Sequence, residues 1–349
     1  MLLAYKVFLD DVSELEDYIA MAQTTAELLQ NDFSKTKARY KDVLVKLQNQ
    51  SKIYNKRKLD YSMIIVNLYG ALEKYIESFI KDYLMIRASC VEKYSELPQC
   101  IIDQHINLSI ELIQKIDYPK YSNMFTKEQI IKNINDCIQN EKLTLNYEAF
   151  CIHSANFRIS EIQKVVRRIG LSNLINSVKR NEELKRIYIK ENGECNYEQL
   201  PLDSIFSFVN ELADRRNQIS HGANTDIISF ELQLEMIRKI KLFIGEMNNL
   251  CFESLLQFFV RDCYKIERIH NVNKKTKILC FQLDRNKIAI GDIIIRKKGD
   301  NFSYCTVNSI QINKVSYKEV VAEKAIDIAI MLSCNRKENE EYWLYNQSY

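Results

Sequence analysis

Seven glycines and three prolines in 349 residues leave little material for turns, so long helices should dominate the chain. There is no Cys-x-x-Cys pair, and none of the four histidines sits in a cysteine–histidine cluster. This argues against a zinc site, and no metal or cofactor is expected. No apolar run reaches the length of a bilayer span, so no membrane association is expected. The opening residues MLLAYKVFL have no basic start or cleavage site and run at once into Asp10 and Asp11, unlike a signal peptide. Neither sign of charge dominates, with 49 Lys and Arg against 46 Asp and Glu. A general nucleic-acid coat is therefore not expected, and any basic groove must come from local arrangement. Gly/Ser-rich linkers, internal repeats and a Gly-x-x-x-x-Gly-Lys-Ser/Thr loop are all missing, and the last absence excludes a standard GTP-binding loop.

What is present suits a mostly helical, cytoplasmic protein of two or three domains. An apolar content of 46% is enough for substantial cores without staples. The ten scattered cysteines are accordingly read as thiols in a reducing cytosol. Phe8, Leu15, Ile19, Ala22, Ala26 and Leu29 mark an amphipathic helix that Asn31-Asp32 would interrupt. A Lys-rich segment with Val43, Leu44 and Leu47 follows. The two could form a hairpin on the bundle or on a second subunit, or belong to the same core. Thr126 to Gln129 has the capping-box form, and Ser160 to Ile169 ends at Gly170.

The most informative stretch is Arg216-Asn217-Gln218-Ile219-Ser220-His221. It joins a guanidinium to an imidazole between two helical segments, one carrying Ile205, Phe208, Val209 and Leu212. The other opens at Ser229 and carries Ile237, Ile240, Ile244, Met247, Cys251, Leu255 and Phe258. Five residues on an ideal helix place Arg216 and His221 about 140° apart. Convergence would need the helix to distort or stop between them, and Gly222 permits a left-handed C-terminal turn.

Arg216, Asn217 and His221 resemble the signature of the HEPN superfamily, which is Arg, four to six residues, then His. Tyr61 to Leu84, centred on Tyr69-Gly70-Ala71-Leu72-Glu73, resembles the long early helix of bacterial HEPN proteins. The resemblance implies a mainly α fold, a HEPN-like bundle over 56–265 after an N-terminal helical extension or hairpin over 1–55. It also implies a metal-independent endoribonuclease acting as a homodimer, commonly a toxin or phage-defence effector. An antitoxin or sensor protein would then be a partner, and the RNA could be tRNA or ribosome-associated.

In that chemistry His221, with an ordinary pKa near ~6.5, would take the proton of an RNA 2′-hydroxyl. Arg216 would hold phosphoryl oxygens through its planar fork, and a two-fold axis would supply a second histidine as acid. Asn217 would orient the phosphate or the histidine, or else bond the helix end. Asp214, Arg215 and Ser220 are supporting candidates, although Asp214 and Arg215 could instead pair on the surface. Glu73 is a possible inward acid toward Arg216 or His221, and the alternative for it is a solvated helix face. Tyr69 reads as a core aromatic, and His105, His153 and His270 are not taken as site residues. In HEPN toxins silenced by nucleotide attachment a tyrosine follows the motif histidine by two residues. Ala223 stands there, so that control is not expected.

Beyond residue 270 short β-prone runs take over, namely 276–281, 288–290, 293–295, 303–312 and 325–332, with turns at Gly291-Asp292 and Lys298 to Asp300. They imply a small β-barrel over 270–349. Gly291 to Ile295, Val307 to Gln311, Val320 to Lys324 and Ile326 to Ile330 resemble the second-domain barrel of translational GTPases, with Ala325 where a glycine is usual. That likeness implies an RNA or ribosome contact, a docking surface or a structural role. A non-catalytic RNA- or ribosome-binding adaptor is thus the second reading. Four basic clusters could touch phosphates: Lys52 to Lys58, Lys164-Arg167-Arg168, Lys179 to Arg186, and Arg296 to Lys298.

Overall fold

The computed structural model describes residues 2–30, 38–50, 53–121, 124–222, 226–270, 277–335 and 339–345. The expected break at Asn31-Asp32, the start of the first β-run at Thr276, Lys52 of the first basic cluster and Ala223 lie outside them. The chain divides into two compact units, Met1–Leu250 and Cys251–Tyr349.

The first unit is helical, as the scarcity of glycine and proline requires. Its elements are α1 (Leu3–Gln30), α2 (Ala38–Gln50), α3 (Ile53–Ser89), α4 (Gln99–Gln114), α5 (Lys127–Ile138), α6 (Tyr147–Phe150) and α7 (Ile159–Arg168). Then come α8 (Leu174–Val178), α9 (Glu182–Asn192), α10 (Leu202–Ile205), α11 (Ser207–Ser220) and α12 (Phe230–Phe259), and the division between units falls within α12. Of the placements open to the first helix, the structure shows α1 inside the bundle. Phe8, Val12, Leu15 and Ile19 are buried, and the backbone amide of Ala4 donates to Asp82 on α3 at 2.8 Å. Helix α3 is buried along Ile64, Leu68, Leu72, Ile76 and Phe79, steps of four and then three that keep one stripe facing a core.

Local signals act where they were expected. The Thr126 hydroxyl accepts from the Gln129 amide at 3.2 Å and caps α5. Gly170 takes φ +86° just after α7, and Ser229 Oγ accepts from the Leu232 amide at the start of α12. His105 is a core residue: its Nε2 accepts from the Asn146 amide at 3.0 Å, and its Nδ1 lies 3.0 Å from the Tyr94 hydroxyl. Burial pushes its pKa down to about 4.

The second unit is a nearly closed antiparallel barrel. Its strands are β1 (Tyr264–Ile266), β2 (Ile269–His270), β3 (Ile278–Leu283), β4 (Asn286–Ala289), β5 (Ile293–Lys298) and β6 (Asn301–Ile312). They continue with β7 (Val315–Tyr317), β8 (Glu319–Ala322), β9 (Ile326–Leu332) and β10 (Glu341–Tyr345). The main sheet runs β1-β10-β5-β6-β9-β3-β2, with β7 beside β6 and a separate β4–β8 pair. The Tyr264 hydroxyl on β1 reaches Gln282 O on β3 and receives the Asp284 amide, drawing the ends together. A bulge between Val307 and Ser309 bends the long β6. Leu279, Phe281, Ile294, Val307, Ile310 and Ile330 fill the interior. Gly291 and Gly299 take φ +96° and +58° at the two expected turns.

The expectation that every cysteine is a thiol needs correcting. Cys305 and Cys334 form a disulfide across a separation of 29 residues. Their partnership crosses between β6 and the segment after β9, a pairing that sequence spacing alone cannot reveal.

Candidate active site

Helix α11 buries Phe208, Val209, Leu212 and Ala213. Continuing that stripe by three and four residues brings Arg216 and Asn217 to the same side, so burial of the helix carries them toward α3. There Tyr69, Glu73 and Glu77 stand at i, i+4 and i+8 on one ridge. The Arg216 guanidinium lies 5.3 Å from the centroid of the Tyr69 ring, within cation–π range. Its Nη1 donates to Asn217 Oδ1 at 3.3 Å. Burial pushes the Tyr69 hydroxyl up to about 12, against the opposing effects of the Phe157 amide and Arg216.

Helix α11 ends at Ser220, between Arg216 and His221. The His221 amide donates to Asn217 O at 3.0 Å, and Ser220 Oγ donates back to Arg216 O at 3.0 Å. His221 is the C-cap, and the left-handed turn follows it at Gly222, φ +66°. Arg216 is half-buried against α3, while His221 is exposed and makes no side-chain hydrogen bond among the described residues. Ser220 is occupied by the helix backbone.

The other candidates take separate places. Asp214 pairs with Arg158. Arg215 pairs with Glu211 at 2.7 Å and donates to the Tyr61 hydroxyl at 2.8 Å and to Asp226 O at 3.2 Å. Glu73 turns to His153, whose Nε2 is 3.4 Å from Glu73 Oε1 and 3.3 Å from Glu77 Oε1.

That histidine belongs to the segment between α6 and α7, whose part sequence reasoning missed. His153 Nδ1 faces Ala155 O at 2.8 Å, and its ring lies 4.3 Å from that of Phe157. The Phe157 amide donates to the Tyr69 hydroxyl at 2.9 Å. Asn156 Nδ2 donates to Asn217 Oδ1, and the Ile159 amide donates to Asn210 Oδ1 at 3.0 Å. The segment therefore ties α3 to α11 immediately beside Arg216. Hydrogen bonds to Glu73 and then Glu77 outweigh burial and raise His153 to about 9. Burial alone would raise Glu77, but hydrogen bonds from His153 and Lys120 outweigh it and hold the carboxyl below its ordinary value.

Glu73, Glu77 and His153 are the set among the described residues whose ligand atoms lie close enough to hold a metal ion, all within 4.8 Å of one another. Lys120 already pairs with the same Glu77 oxygen that faces His153. With a protonated ring as well, the two carboxylates are neutralised by the protein's own cations, and the group works as an ion-pair network.

The geometry thus gives a cation fixed on an aromatic face, an amide bridging it to a loop, and an exposed imidazole at the same helix end. No helix among the described residues is long and apolar enough to cross a membrane. No curated relative matches the sequence. Residues 31–253, well over half of the chain, match the family described as RiboL-PSP-HEPN. The chain belongs to the RiboL-PSP-HEPN family, one of the HEPN domains, which are generally ribonucleases or RNA-related.

Proposed function

We propose that the protein is a metal-independent endoribonuclease whose Arg216 and His221 act on one RNA phosphate across a two-fold dimer. The observation that carries this reading is the placement of the two groups at one helix end: Arg216 is held against Tyr69 of α3, and His221 is free at the exposed cap. One phosphate can meet both groups when a second copy presents its own α11 end to the first. Arg216 Nη1 donates to Asn217, and the other guanidinium donors can take phosphoryl oxygens.

In this mechanism His221 accepts the proton of the 2′-hydroxyl, and O2′ attacks the adjacent phosphorus. The bond from phosphorus to O5′ breaks, and the second His221 returns a proton to that leaving oxygen. Products are a 2′,3′-cyclic phosphate and a 5′-hydroxyl. Arg216 stabilises the added negative charge at phosphorus. The test is incubation with total RNA in EDTA, with product ends analysed. Wild type should cut, while Arg216→Ala and His221→Ala should not. Equal RNA profiles for all three would remove the enzymatic reading.

A cytoplasmic toxin or phage-defence role draws on the likeness to bacterial HEPN proteins, and growth arrest that depends on His221 is its test. The antiparallel barrel of the second unit motivates a second reading, an RNA- or ribosome-binding adaptor. That reading requires salt-sensitive RNA binding that survives His221→Ala, without cleavage by the wild type.

A further inference from the structure

Three of the four basic clusters have partners that account for key cations. Lys56 pairs with Asp60 at 2.6 Å, Lys179 donates to Glu198 O and Leu200 O, and the buried Arg296 reaches Glu340 and Asn335 O. The cluster at the end of α7 differs. Lys164, Arg167 and Arg168 face a cavity of about 560 Å³, whose other walls include Gln104 and Asn107 on α4 and Ser154 after α6. Arg168 is fixed there by bonds from Nη1 to Phe150 O and Ile152 O. Arg167 is exposed and has no side-chain partner among the described residues, and Lys164 is 3.6 Å from Glu161. Glu111 is the carboxylate on the cavity wall, and Lys115 neutralises it at 2.6 Å.

Cations in excess, amide donors beside them and a volume suited to a small ligand describe an anion site of nucleotide size. Its place matters as much as its charge. His153 and Ser154 line the cavity, and Asn156, two residues further on, holds Asn217 of the candidate active site. Two residues of chain span at most about 7 Å, so a strand at Arg216 and Asn217 has a neighbouring phosphate within reach of this wall.

We propose that this cavity binds a backbone phosphate of single-stranded RNA beside the cleavage site, with Lys164 and Arg167 as direct contacts and Arg168 as the fixed cation of its wall. The location rests on the ribonuclease reading, but binding can be measured without turnover. The full chain carrying His221→Ala is titrated with a fluorescein-labelled single-stranded RNA from low to moderate salt. The same is done after adding Lys164→Gln and Arg167→Gln, with circular dichroism to confirm unchanged folding. Two lost phosphate contacts should flatten the log–log salt slope by about 1.4 and weaken low-salt binding by about tenfold. Lys164→Arg with Arg167→Lys should restore the slope. An unchanged slope and affinity, or no restoration by the charge-keeping pair, overturns the proposal.

Adenosine monophosphate serves as the competing probe. If it binds and loses affinity in the double variant while RNA binding stays the same, the cavity serves a free nucleotide and the RNA assignment falls. Cleavage that depends on His221 with an unaltered slope removes the cavity alone. A flattened slope in a protein that never cuts RNA keeps the cavity as an RNA site and removes the enzyme.

Discussion

Arg216 lies over the ring of Tyr69, and the hydroxyl of the same tyrosine accepts the buried Phe157 amide. One aromatic side chain thus sets both the cation of the candidate site and the segment that carries His153 and Asn156. Tyr69→Phe should keep the ring but leave the Phe157 amide without its acceptor, at a cost of about 1–3 kcal/mol. Tyr69→Leu should lose a further ~1 kcal/mol or so from the cation–π contact and cut RNA more slowly than the phenylalanine variant. Denaturant titration and initial rates check this. A Tyr69→Phe protein as stable as wild type would show that the hydroxyl does not hold the segment.

Asn156 holds Asn217 from outside the helix. Its replacement by alanine should cost only about 1 kcal/mol of stability. Cleavage should fall about 10- to 100-fold, because small displacements at a reacting centre are expensive. If rate and stability fall in proportion, Asn156 is a structural residue only.

His153 gives stability a signed pH dependence. Its folded pKa of about 9 lies above the ordinary histidine value, so its ion pairs with Glu73 and Glu77 contribute fully below about pH 6.5. That contribution is lost as pH rises through about 9. Unfolding midpoints between pH 6 and 10 should fall in wild type and fall less in His153→Gln. Parallel profiles would mean that the ring does not carry this charge.

The disulfide predicts a labelling pattern. Alkylation of the unfolded, unreduced protein should modify eight cysteines and spare Cys305 and Cys334, whereas prior reduction should expose all ten. The closed loop is long enough to contribute about 3–4 kcal/mol in the chain-entropy account. Ten labels without reductant would contradict the pairing.

Much of the fold was legible because its signals are local. The stripe of α12, the Thr126 cap, the stop at Gly170 and the turns at Gly291 and Gly299 are each set by residues within a few positions. The strand at Glu341–Tyr345 escaped, since its pairing with Ile293–Lys297 is long-range and its few residues carry no turn signal of their own. The candidate site was legible only on α11. His153 meets Glu73 and Glu77 from 76–80 positions away, and Asn156 meets Asn217 across 61. The i, i+4 spacing of Glu73 and Glu77 was the one available hint of paired carboxylates on a single face. The helix end was legible as well, since α11 stops at Ser220 and the left-handed turn falls at Gly222.

The central claim, that two chains share one cutting centre, is tested most directly by mixing inactive protomers. Arg216→Ala and His221→Ala proteins are unfolded together, refolded so that subunits exchange, and assayed on RNA in EDTA. Mixed dimers keep one arginine and one histidine but lack the second histidine that protonates O5′. With water as the acid, the mixture should regain a small part of wild-type cleavage that neither variant shows alone. Exchange confirmed by differently tagged subunits, with no activity regained, would contradict the shared site.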